Sequence, residues 1–483
     1  MKPSVWRAIV PIALTILIAL CPAPAGLEKY AWYCFAIFAG VIMGLVLEPL
    51  PSGAMGFVGI AVVATLARWV LFSPAELAKP DFKATSAAIN WALTGFGNST
   101  VWLVFSAFMF AVGYEKTGLG RRIALLLVRA MGRRTLTLGY AIAFADLILA
   151  PFTASNSARS GATIFPIIQN IPPLYDSKPF DPSSRRIGGF IMWVALAATC
   201  VTSTLFLTAL APNVLAVELT RKIAKVDITW GQWFMGLLPV GVILILAVPA
   251  LTYWLYRPEV KEGGEVPAWA AKELSAMGRI ARNEIVLGLL VSLALVLWVF
   301  FNEWIEPATV GILVTVLMLV LKVVTWNDLI GNKTAWNVLI LLATMVSLAG
   351  AMAKVGVVGW VAKNVAGSLK GVSPTVAVCV LVAVFFVIHY MFASITAHTT
   401  AVFPVFLAAG MVIAGVPVAK FALLLAGSLG IMGIITPYAT GPGPIYYGSG
   451  YIPAKDFWRL GLIFGAIFLG VLLLVGMPWM FFV

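Results

Sequence analysis

Two strings decide how this chain folds: Ala154-Ser155-Asn156-Ser157-Ala158-Arg159-Ser160-Gly161 in the first half, and Ala393-Ser394-Ile395-Thr396-Ala397-His398-Thr399-Thr400 in the second. Each interrupts an apolar run that is otherwise long enough to enter a bilayer. Each is followed, ten or eleven residues after its first Ser, by a proline, Pro404 and Pro166 respectively for those two spacings. Backbone that leaves helical geometry at membrane depth is tolerated only where protein buries it or where it lines a cavity. The strings are therefore expected to be the tips of two re-entrant hairpins.

The composition agrees with a membrane solvent. Of 483 residues, 61% are hydrophobic and 11% charged, where a soluble domain is about a quarter charged. This excludes a disordered chain and an ordinary cytosolic enzyme. Runs such as Gln232–Tyr256, Glu284–Phe301 and Phe457–Val483 reach the roughly 20 residues a spanning helix needs, and about eleven such spans can be drawn. The run from Ala8 to Leu20, with Lys2 and Arg7 before it and Ala23-Pro24-Ala25 after it, has the outline of a signal peptide; the many later spans make a retained first helix the simpler choice. The four cysteines stand singly in apolar segments and read as packing residues.

The net charge of +13, from 32 Lys+Arg against 19 Asp+Glu, would suggest nucleic acid in a soluble protein. Here most basic residues lie in short loops between apolar runs and read as an orientation signal. With the N-terminus cytoplasmic, about 20 of the 32 fall inside, about 10 outside and 2 within apolar segments. Arg122, Arg129 and Arg133, spaced by 7 and 4, share one helix face and predict an interfacial helix on anionic headgroups. No nucleic-acid partner is expected.

The halves resemble each other. Asn98-Ser99-Thr100-Val101-Trp102 opens a span ending near Lys116-Thr117-Gly118, and Asn332-Lys333-Thr334-Ala335-Trp336 opens one ending near Lys354-Val355-Gly356. Each is followed by a short helical segment and then by one of the two broken apolar runs, which by the span count enter from opposite sides. This is an inverted repeat, the architecture of many secondary transporters.

Ser, Asn and Thr side chains, with backbone N–H groups at the start of a returning half-helix, point donors and a positive dipole end at an anion. Two such tips from opposite sides would hold the two ends of a dicarboxylate. Any one Ser could equally serve close helix packing; the two matched clusters favour a site. Arg159 and His398 occupy equivalent positions, four residues after Ser155 and Ser394, and an intramembrane Arg is a functional candidate by default. Arg68, the other basic residue within a span, belongs near an outer interface. His389, on the entering arm, reads as structural. Each hairpin precedes a second broken helix. The breaks are Thr208-Ala209-Leu210-Ala211-Pro212-Asn213 and Thr436-Pro437-Tyr438-Ala439-Thr440-Gly441-Pro442-Gly443-Pro444, where freed carbonyls and hydroxyls can line a site.

These motifs, with Glu48-Pro49-Leu50-Pro51, Tyr114-Glu115-Lys116-Thr117-Gly118-Leu119-Gly120-Arg121-Arg122 and the string from Thr440 to Gly450, resemble the divalent anion/sodium symporter family. Within it the chain is similar to the branch of bacterial citrate/succinate-type antiporters and plastid 2-oxoglutarate/malate translocators. The resemblance implies an all-α polytopic homodimer in the bacterial inner membrane, with a scaffold and an elevator-like transport domain. Applied to this chain, it divides the sequence into an extra N-terminal helix (1–30), a first repeat (31–256), a cytoplasmic linker (257–283) and a second repeat (284–483). Scaffold helices would occupy 31–120 and 284–354. Hairpins with broken helices would occupy 134–220 and 373–450, and a last helix 457–483.

Carried over by position, Ser155, Asn156 and Ser157 would bind one carboxylate and Ser394 and Thr396 the other, with Thr208, Pro212, Asn213, Thr440, Gly441 and Pro442 completing the site. Sodium-coupled members carry Asn in both tips, whereas this chain has Ile395 in the second. Sodium-independent exchange of malate-, succinate-, fumarate- or 2-oxoglutarate-like substrates is the expectation. In it, Arg159 and a protonated His398 would offset substrate charge, and the empty carrier would be immobilised by an unpaired buried cation. The alternatives are a sodium-coupled symporter and, more remotely, an anion channel or a membrane enzyme built on Asp146. No metal or cofactor is expected.

Overall fold

The computed structural model describes residues 5–301, 303–368 and 372–482; Lys2 lies outside them. Helix dominates, and among the described residues the only β pairing is an isolated bridge between Arg134 and Glu262. Among the described residues, eight helices are long and apolar enough to cross a membrane, or nine if the bent pair Ala84–Gly97 and Ser99–Thr117 counts as one span. The three long runs read from the sequence appear as Trp230–Leu255, Arg282–Phe300 and Ala454–Phe482. Shorter apolar helices are Trp6–Leu20, Ser52–Thr65, Pro307–Val320, Ile395–Met411 and Val418–Ile434.

The two matched Asn-led spans begin with the same local chemistry. Asn98 caps Ser99–Thr117 by accepting from Val101 N–H at 3.2 Å, and Asn332 caps Lys333–Lys354 by accepting from Ala335 N–H at 3.1 Å. A capping side chain satisfies a backbone donor that the first turn leaves open. The halves also exchange partners: Ser52–Thr65 packs on Lys333–Lys354, and Pro307–Val320 packs on Ser99–Thr117. At the first contact Asn337 accepts from Gly53 N–H at 3.1 Å and donates to Ser52 Oγ at 3.0 Å.

The centre is Gly188–Leu205, a helix buried at every residue. Its Thr and Ser side chains can bond back to the helix or to neighbours without carrying charge. It crosses Val418–Ile431 so closely that a Cβ on Gly430 would stand 2.5 Å from the backbone nitrogen of Thr204. Only glycine permits that approach.

The segment carrying Arg122, Leu119–Met131, does form a helix, but it does not give all three arginines to lipid. Arg122 is 9% exposed; it forms a two-pronged pair with Glu284 and donates to Gly278 O at 3.1 Å. A guanidinium this buried needs a partner, and the planar fork matches a carboxylate. The helix Glu265–Ala276 of the central linker packs alongside, tied by Arg121 to Glu273 at 2.6 Å. The same linker meets the bases of other elements, with Val260 N–H on Arg186 O at 2.9 Å and Thr135 N–H on Lys261 O at 2.9 Å. Segments rich in basic residues are thus gathered at one end of the bundle.

Candidate functional site

The first hairpin enters as Thr135–Leu149, breaks over 150–156 and returns as Ser157–Ile164 and Phe165–Ile168. Pro166 has no N–H to continue the helical ladder, and the turns before it widen to π geometry. The second enters as Pro374–Ile388 and returns as the longer Ile395–Met411. The return arms begin alike: Ser155 Oγ accepts from Ala158 N–H at 3.2 Å, and Ser394 Oγ from Ala397 N–H at 3.3 Å. Arg159 N–H and His398 N–H each reach the carbonyl of that first serine at 3.0 Å. The two cationic candidates are structurally equivalent.

The break in the second broken helix is where the hairpins meet. From one side, Asn156 Nδ2 donates to Thr440 Oγ1 at 2.7 Å, and a Cβ on Gly441 would stand 1.9 Å from Ser157 Oγ. From the other, His389 Nε2 lies 2.8 Å from Ala439 O, and Tyr438 Oη donates to Tyr390 O at 3.1 Å. Pro442 then caps the half-helix Gly443–Gly448, whose Tyr446 hydroxyl lies 2.7 Å from Ser160 Oγ. The break in the first broken helix is bonded to the first hairpin. Thr208 Oγ1 donates to Pro151 O at 2.6 Å, and Ala211 N–H to Ala154 O at 3.0 Å. Pro212 sits in the first turn of Ala211–Ala224, and Asn213 Nδ2 holds Ser203 O at 2.7 Å and Phe206 O at 3.2 Å across the break.

Arg159 departs from the sequence expectation. Its side chain is 0% exposed and pairs with Asp146, Nε to Oδ2 at 3.0 Å. One terminal nitrogen donates to Thr153 O at 3.0 Å and Ala209 O at 3.1 Å; the other reaches Thr199, Thr202 and Ser203 hydroxyls at 3.2, 3.2 and 3.0 Å. All five N–H groups of the guanidinium have an acceptor. It is not an unpaired cation, and a charge at this depth is stable only when paired and fully bonded. The sequence pointed to Arg159 but not to its partner. Thr199, Thr202 and Ser203, which share a face at helical spacing, were the available signal.

His398 is also fully buried, with its ring 4.4 Å from Phe385, 5.0 Å from His389 and 5.1 Å from Phe392, and neither ring nitrogen has a hydrogen-bond partner among the described residues. The accessible polar groups of the tips are different ones: Ser155, Ser157, Ser394 and Thr396 are half-buried. Ser394 and Ala397 line a cavity of about 320 Å³ with Arg7 and Glu48, whereas Thr153, Ala158, Arg159 and Thr163 line another of about 180 Å³ with Glu115, Asn332 and Thr334. In this conformation the tips converge on one break but line separate cavities.

A multi-pass helical bundle whose centre is two pairs of broken helices lined with hydroxyl and amide groups has the make-up of a membrane transporter. The comparisons agree. The family described as the sodium:sulfate symporter transmembrane region matches residues 2–483. The chain belongs to this family, the divalent anion/sodium symporters. The chain is 52% identical, over 99% of both chains, to the L-tartrate/succinate antiporters of Escherichia coli strain K12 and of Shigella sonnei. In fold it is similar to the Alcanivorax borkumensis YdaH transporter, with a TM-score of 0.58 at 15% identity over 90% of this chain and 99% of that one. It is likewise similar to Neisseria gonorrhoeae MtrF, with a TM-score of 0.58 at 14% identity over 91% and 97%. The protein is a transporter and not an enzyme.

Proposed function

We propose that the protein exchanges one C4-type dicarboxylate for another across the bacterial inner membrane, with L-tartrate and succinate as the leading pair and malate, fumarate and 2-oxoglutarate as chemically similar candidates. The observation that carries this is the 52% identity, along the whole chain, to L-tartrate/succinate antiporters. The site chemistry supports it. Half-buried hydroxyls at Ser155, Ser157, Ser394 and Thr396, at the starts of half-helices, are donors suited to carboxylate oxygens. Asn156, Thr440, Gly441 and Pro442 hold the first tip against the second break. Thr208, Pro212 and Asn213 hold the other break.

The carrier acts as a homodimer in which the hairpins and broken helices move as an elevator against the remaining helices, with the N-terminus cytoplasmic. Because Arg159 is already neutralised, obligate exchange rests on the tip donors. In the empty carrier these are stripped of water as the domain crosses, and each unsatisfied polar group is costly there; a bound dicarboxylate supplies the missing acceptors. Exchange of dianion for dianion is charge-balanced without a co-ion. Ile395 supports sodium independence, since it replaces an amide that could ligate a cation.

The family's description as sodium:sulfate symporters favours a second reading, sodium-coupled symport. Labelled succinate uptake into proteoliposomes separates them. Exchange predicts uptake only into vesicles loaded with succinate or L-tartrate, equal in sodium and choline buffers. Uptake into empty vesicles that follows a sodium gradient would establish the symporter instead.

A further inference from the structure

We propose that Asp146 is a positioning residue of the transport site. Its carboxylate neutralises Arg159, and the pair locks the first hairpin tip to the first break, so that the charge of Arg159 is spent within the protein and not on substrate. This rests on the exchange reading above. Three observations converge on it. The guanidinium has no donor left over: Asp146, two carbonyls and three hydroxyls take all of them. Those acceptors come from the hairpin's entering arm, from Thr153 beside the tip, from Ala209 in the broken helix and from the central helix, so one side chain fixes four segments. Thr202 also donates to Asp146 Oδ2, which orients the carboxylate.

The repeat supplies the third observation. Asp146 and Arg159 are 13 residues apart. The residues at the same two places in the second hairpin are Phe385 and His398, whose rings touch at 4.4 Å. Both hairpins therefore fasten the first turn of the return arm to the entering arm at the same level, one by an ion pair and one by an aromatic contact. A fastening role explains why a fixed cation stands at this position in the first hairpin and not in the second: what recurs is the contact, not the charge.

The test uses the full-length protein in proteoliposomes and measures succinate/L-tartrate exchange. R159Q or D146N alone leaves one buried charge without its partner, and exchange should fall by about 100-fold or more. The double variant D146N/R159Q removes both charges and keeps the shapes. It should recover to within about tenfold of the unmodified protein, with KM for succinate changed less than about threefold. A second variant, D146F/R159H, copies the second hairpin's pair into the first and should also exchange. Size-exclusion chromatography and thermal unfolding in detergent establish which variants fold. If either double variant folds yet exchanges no better than R159Q, or does so with KM raised as far as in R159Q, Arg159 meets substrate and the proposal is overturned. If the unmodified protein does not exchange at all, the functional reading fails instead.

Discussion

The contact between Gly441 and Ser157 offers a perturbation confined to one hydroxyl. A methyl group on Gly441 would stand 1.9 Å from Ser157 Oγ, 3.2 Å from Ser157 Cβ and 3.8 Å from Asn156 Oδ1. The first distance is impossible, the second needs a shift of a few tenths of an ångström, and the third is ordinary contact. Gly441→Ala therefore rotates the Ser157 hydroxyl away while leaving the Asn156–Thr440 bond in place. If that hydroxyl donates to a substrate carboxylate, its loss costs about 1.5–3 kcal/mol, which is roughly a 10- to 100-fold rise in KM for succinate. Ser157→Ala should produce the same rise. In the double variant the added methyl fills the space the oxygen left, so KM should be no higher than in either single variant. KM from initial exchange rates in proteoliposomes, with protein amount normalised, checks this. Effects that multiply in the double variant would show that Gly441 and Ser157 act separately and refute the reasoning.

Four further outcomes follow from the packing and the ion pairs. Gly430→Ala forces a methyl onto the backbone of Ser203 and Thr204, where nothing can rotate away; it should lower stability by about 1–3 kcal/mol or more in thermal unfolding. Gly470→Ala, with open space around it, should not destabilise. Glu284→Gln leaves the nearly buried Arg122 short of its counter-charge and should destabilise by about 2 kcal/mol, less than a fully enclosed pair because the bundle's end admits some water. Asp328 is bonded to Lys116 Nζ at 2.6 Å, which with Thr325 lowers its pKa from 3.8 to about 2. A depressed carboxylate pKa stabilises the fold above the unfolded value and loses that contribution as pH falls through the folded one. Asp328→Asn should therefore differ from the unmodified protein equally at pH 5 and pH 8, by less than about 1 kcal/mol since both partners are partly exposed. The two should converge toward pH 2.

The sequence was most legible where a local rule decides the outcome. Asn98 and Asn332, Ser155 and Ser394, and Arg159 and His398 fall at matched positions because capping and the first helical turn depend only on neighbours a few residues away. Tertiary partners were not legible. Asp146 sits across a helix break from Arg159, and nothing in a linear pattern says that a lone carboxylate on an apolar arm folds back onto it. Arg122 failed as a lipid contact for the same reason, since its partner Glu284 lies 162 residues on. The separation of the two tips onto different cavities belongs to the conformation and not to the motif. The helical spacing of Thr199, Thr202 and Ser203 puts them on one face without revealing that this face meets one guanidinium.

Obligate exchange, as proposed, requires that a loaded transport domain cross the membrane and that an empty one not. Efflux of labelled succinate from preloaded proteoliposomes, in sodium-free buffer with or without external L-tartrate, tests it most directly. The account predicts rapid efflux with external L-tartrate and efflux no faster than from protein-free vesicles without it. Equal protein-dependent efflux in the two buffers would contradict it.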